Sequence, residues 1–121
     1  RAGNSAGFTW HELADLYRSS DIVVSDFAGW TGMVNVEGAA CGKPVIGNLE
    51  PKAMQYMYPD GNPHVQAVDA EEVCDAIMML TDPGRRLSIG SASRQWALDH
   101  HDLSVVARRC ETMLVTLGLP R

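Results

Sequence analysis

Apolar positions along this chain keep two rhythms, one helical and one of short β-branched runs. In "TWHELADLYRSSD", Leu13, Leu16 and Tyr17 share one helix face, and the spacing predicts a helix. Thr9 would cap it, with Glu12 three residues on completing a capping box. "DIVVSD" follows as an apolar, β-branched run between polar residues. It reads as a strand buried on both faces, as in parallel sheets. "MVNVEGAAC" returns to helical spacing, although Gly38 costs it some propensity. Gly42-Lys43-Pro44 ends that helix, and "VIG" is the next strand.

Beyond it, "EPKAMQYMYP" is a short helix or irregular, "PDGNP" is a turn by its chemistry, and "HVQAV" is a short strand. "DAEEVCDAIMML" has Asp69 as N-cap and Val73, Ile77 and Leu80 on one face. "DPGRR" opens a helix reaching about Leu98. The clearest helix is the last. Leu103, Val106, Ala107, Cys110, Met113, Leu114 and Leu117 recur at helical spacing, and Gly118 stops it. Short β-runs alternating with helices predict parallel βαβ units, hence an α/β, Rossmann-like three-layer sandwich. Three strands are visible, and residues 2–8 could add a fourth, so the sheet reads as incomplete.

Composition narrows the classes. The chain has 121 residues, 45% apolar and 21% charged, which suits one soluble domain spanning residues 1–121. A net charge of −5 argues against broad nucleic-acid binding and against charge-driven docking on lipid. No apolar run is long enough to span a bilayer, and the opening residues have no signal-peptide core. Arg85-Arg86 and Arg108-Arg109 read as solvated helix faces. Cys41, Cys74 and Cys110 match no metal or redox spacing and read as buried thiols in a reducing, cytoplasmic compartment. His100 and His101, as helix neighbours, should face different ways, and no metal site is expected.

The candidate chemistry lies in "GWTGMVNVEGAACGKPVIGN". From Ser25 to Gly32 the chain leaves a strand's carboxyl end and enters a helix, where ligands of open parallel sheets sit. Free N–H groups at a helix start attract anions, and Gly29 and Gly32 would let backbone come close. The pattern is neither a Walker loop nor G-x-G-x-x-G, so a plain strand-to-helix turn stands beside that reading. Glu37 is four residues beyond Met33, on the face of the first turn. There a carboxylate could accept bonds from ribose hydroxyls; the rival is an ordinary helix glutamate. Its small neighbours argue against exposure, and burying an acid unpaired is expensive. Asp26 is either polar lining of the site or a local turn residue.

"LYRSSDIVVSD", "VEGAACGKPVIGN" and "VDAEEVCDAIMMLTDPGRRLSIGSASRQWALDHHD" resemble the C-terminal, nucleotide-sugar-binding domain of GT-B-type retaining glycosyltransferases, the group that includes family 4. The most specific stretch, Glu37 to Ile46, is similar to the family's "EAMACGKPVI". The resemblance implies that Glu37 binds the nucleotide ribose and that the backbone of Gly32, Met33 and Val34 meets the diphosphate. Thr31 would add a hydroxyl, and Gly29 and Trp30 would lie near the donor sugar. For Trp30, packing on a partner domain stands equally open. The family's first glutamate falls at Gly29, so that motif is half missing; "GWTG" is instead similar to the "GWYG" of a subset.

The resemblance further implies a nucleotide-diphosphate sugar as donor substrate, no tightly bound cofactor, and no metal. It implies an N-terminal acceptor domain or partner subunit outside these residues, and inactivity of the chain alone. No general base or nucleophile stands out. Alternatives are a non-catalytic nucleotide-binding or assembly module with a GT-B half-fold, and an epimerase acting on a nucleotide sugar. A homo-oligomer is left open.

Overall fold

The computed structural model describes residues 7–119. The elements run α1 Trp10–Ser19, β1 Val23–Val24, α2 Met33–Ala40, β2 Val45–Gly47, α3 Pro51–Met57, β3 Val65–Gln66, α4 Ala70–Met79, α5 Pro83–His101 and α6 Leu103–Thr116. The strands form one parallel sheet in the order β1-β2-β3. Val23 and Val24 pair with Val45 and Ile46, and Ile46 and Gly47 pair with Val65 and Gln66. This is the incomplete α/β sheet that the alternation predicts. The fourth strand suggested at residues 2–8 falls mainly outside the described residues, and Gly7 and Phe8 are irregular.

The alternation along β2 builds two cores. Val45 faces a cluster with Tyr17, Val23, Ala39, Leu49, Met54, Tyr58, Trp96 and Ala97. Ile46 faces the other way, toward Ala67, Ala76 and Leu80. Helices α1, α2 and α5 therefore cover one face and α4 the other, giving three layers. Helix α5 lies hard against the end of α2. Gly42, at φ +74, ends α2, and a Cβ on Gly90 would stand 2.3 Å from its carbonyl oxygen. Arg94 of α5 also donates to the carbonyl of Ala40.

Local signals hold up well. Thr9 and Glu12 form the capping box, and Asp69 and Asp82 cap α4 and α5 through their side chains. Gly118, at φ +70, follows the end of α6.

Several expectations fail. β1 is not buried on both faces: Val23 is buried but Val24 is 47% exposed, because β1 is the edge strand. Of the face expected on α4, Val73 and the C-cap Leu80 pack on the core beside Ala76, while Ile77 points outward. Helix α5 runs three residues past Leu98, to His101. The helix at the end of the chain forms as expected, yet its apolar stripe stays open: α6 contacts α5, but no residue of that helix is buried among the described residues, and Leu103 is 82% exposed. The thiols are not buried either. Cys74 and Cys110 are exposed, on helix faces that nothing described covers, and Cys41 is intermediate, packed against the edge of the core cluster. Arg86 is more than a solvated charge; it donates to the carbonyls of Leu80 and Thr81 at the end of α4.

Candidate functional site

The loop from Asp26 to Gly32 leaves the carboxyl end of β1 and is pinned at two points. At Gly29, φ is +94, a conformation natural to glycine. There the backbone pairs in parallel with Leu49, past the end of β2. The Gly29 N–H donates to the Asn48 carbonyl at 3.0 Å, and Glu50 N–H donates to the Gly29 carbonyl at 2.6 Å. At Gly32, the N-cap of α2, the N–H donates to Asn35 Oδ1 at 3.0 Å. Asp26 is a turn residue, accepting from the Ala28 N–H at 3.2 Å.

This arrangement leaves the Met33 and Val34 N–H groups without an acceptor among the described residues, at the open start of the helix. Both side chains are exposed. Gly32 differs from expectation: its N–H is already taken by Asn35, so it cannot serve an anion while that bond holds. Thr31 is turned inward. Its hydroxyl donates to Met54 Sδ at 3.3 Å. Trp30 projects into solvent, 62% exposed, and touches neither Glu37 nor the helix start through any hydrogen bond.

Glu37 is half-buried, on the side of α2 that faces α1. Its Oε2 accepts the Tyr17 hydroxyl at 2.9 Å. Burial, reinforced by this carboxylate, pushes the Tyr17 pKa up to about 12, so the phenol keeps its proton. Through their apolar parts the two side chains also line a slot with Trp10, Leu13, Ala14, Ala40 and Cys41. Glu37 Oε1 has no partner among the described residues.

Two groups escaped the sequence reading. Ser25 and Asn35 are buried polar residues, and Ser25 Oγ donates to Asn35 Oδ1 at 2.6 Å. The signal for Asn35 was present: a polar residue at the third position of a helix whose only other polar side chain is Glu37, three after a glycine cap. Its Nδ2 is buried with no acceptor, which costs about 1–3 kcal/mol if it stays dry.

The second is an aromatic cluster where α3 meets the α5–α6 junction. Tyr58 packs edge-on to Trp96, with ring centres 5.0 Å apart, and bonds His101 Nε2 at 3.0 Å. His100 and His101, expected to face apart, both reach Tyr58 and Trp96. They straddle the cluster from the last turn of α5. His64 packs edge-on to Trp96. Burial, with the His101 charge, lowers its pKa to about 4. Burial likewise raises the Tyr58 pKa and lowers that of His101.

An open helix start at the carboxyl edge of a parallel sheet is the setting in which such folds hold ligands. A glycosyl transferase-like family model matches residues 3–113. The chain belongs to this glycosyl transferase-like family. Membership supports a glycosyltransferase function in general terms. No curated protein matches the chain. Among the described residues of this transferase-like chain, no helix is long and apolar enough to cross a membrane.

Proposed function

We propose that the chain is the donor-binding domain of a GT-B-type, family 4-like retaining glycosyltransferase. It holds a nucleotide-diphosphate sugar for transfer to an acceptor bound by a further domain or subunit. The observation that carries this is the pair of open amides at Met33 and Val34, facing out from the start of α2. A diphosphate is the ligand that such a helix start favours, through its N–H groups and the helix dipole. Glu37 lies one turn further along, with one oxygen committed to Tyr17 and the other open. That oxygen is suited to accept from ribose hydroxyls. The chain offers positioning and stabilisation of the leaving diphosphate.

Titration of the chain with uridine and guanosine diphosphates, followed by amide NMR, tests this. Met33 and Val34 should shift first and saturate at millimolar ligand. Unmoved amides there would remove the proposal's basis.

The uncovered stripe of α6 favours a second reading, an assembly module that meets a partner through that helix. A chain that binds no nucleotide yet associates through α6 would support it.

A further inference from the structure

At its helix end the glycine loop is held by one buried atom, Asn35 Oδ1. It accepts from Ser25 Oγ at 2.6 Å and from Gly32 N–H at 3.0 Å. Ser25 is itself fixed to the sheet, because its N–H donates to the Ile46 carbonyl at 2.8 Å. So a continuous path runs from β2 through Ser25 and Asn35 to the last residue of the loop. Asn35 is fully buried at 0% exposure, in a helix whose neighbouring interior positions are apolar or small. Its amide orientation follows from Gly32: a backbone N–H only donates, so oxygen must face it. The opposite end, Nδ2, lies without an acceptor, 3.7 Å from where a Cβ on Gly47 would sit. A residue kept at this site despite an unpaired donor is kept for its oxygen.

We propose that Asn35 is the positioning residue of the loop. Its Oδ1 locks Gly32 to the end of β1, and this lock presents the Met33 and Val34 amides to a diphosphate. The role rests on the nucleotide reading above. It also assigns Gly32 a different part from its neighbours: its N–H is structural, and theirs are for the ligand. Leucine at this position would fill nearly the same volume without an acceptor. Aspartate would keep the acceptor but bring negative charge beneath the anion.

The test compares wild type with Asn35→Leu, Asn35→Asp and Ser25→Ala. Three readouts are taken: amide hydrogen exchange at Gly32, dissociation constants for uridine and guanosine diphosphates, and melting temperature. Asn35→Leu should speed Gly32 exchange at least about tenfold and weaken binding by a similar factor. Asn35→Asp should keep Gly32 protected while weakening binding through repulsion. Ser25→Ala should move both in the direction of leucine by a smaller factor, and it decides the matter if the leucine variant does not fold. Unchanged Gly32 exchange in Asn35→Leu, or a lower melting temperature with unaltered affinity, would overturn the proposal. Loss of protection in Asn35→Asp would do so too. A wild type that binds neither nucleotide overturns the nucleotide reading and the presentation role together. A wild type that binds, with a leucine variant binding equally well, overturns only the role of Asn35.

Discussion

The Tyr17 hydroxyl donates to Glu37 Oε2 at 2.9 Å, across the contact between α1 and α2. The acid in the middle of a small-residue helix thus has a partner inside the fold, twenty residues away in sequence. That bond explains how a half-buried carboxylate is tolerated, and it leaves one oxygen open.

Glu37→Gln separates these two duties. Glutamine still accepts from Tyr17, so stability should fall by no more than about 1 kcal/mol. A charged hydrogen bond to ribose contributes about 1.5–3 kcal/mol, so nucleotide affinity should drop roughly ten- to a hundredfold. Melting temperature and dissociation constant, measured on the one variant, check both. A large fall in melting temperature with unchanged affinity would leave Glu37 a purely structural acid.

Gly90→Ala should destabilise strongly, although alanine favours a helix by about 1 kcal/mol. The new Cβ would meet the Gly42 carbonyl oxygen at 2.3 Å, and that atom is backbone at the end of α2. Helix α5 must then move away from α2, at a cost of about 1–3 kcal/mol or more. Gly61 is the control. It sits at φ +95 with nothing within 4 Å, so Gly61→Ala meets only backbone strain of about 1–2 kcal/mol. Urea unfolding of the two variants gives the comparison; a Gly90→Ala chain as stable as wild type would contradict the packing argument.

Acid should weaken the fold through His64. Its pKa is lowered to about 4 in the folded chain, against 6.5 for a free side chain. Between these values the unfolded chain binds the proton and the folded chain does not, so stability falls as pH drops from about 6.5 to 4. The loss attributable to this group is on the order of 3 kcal/mol at most. His101 is lowered as well and adds in the same direction. Denaturation across this window, in wild type and His64→Phe, should show a shallower slope in the variant. Parallel slopes would remove His64 from the account.

Trp30→Ala should leave stability within about 0.5 kcal/mol, since the ring is 62% exposed. If the indole lies against the donor sugar, the variant should lose affinity for uridine diphosphate sugars and not for uridine diphosphate. Equal affinity for both ligands in wild type and variant would leave packing on a partner as its use.

Much of the fold was legible because its signals are local. Caps at Thr9 and Asp69, the glycine stop at Gly118 and the β-branched runs act within a few residues. The candidate loop was legible as a strand–glycine–helix sequence. Its internal wiring was not, because the acceptor for Gly32 and the direction of Thr31 depend on how the loop folds back. The thiols were misjudged for a related reason. Periodicity reports which residues share a helix face, and it does not report whether anything packs on that face.

By itself, the sequence determined the order of elements, the parallel α/β class and the place where a strand hands over to a helix through two glycines. Local backbone preference and short-range periodicity suffice for each. Only the tertiary structure decided that Tyr17 meets Glu37, that Ser25 and Asn35 lock Gly32, and that Gly90 rests on Gly42. It alone decided that the α6 stripe stays uncovered among the described residues. These are contacts between segments far apart in the chain, set by how the layers stack, and no local pattern encodes a partner that packing has yet to bring near.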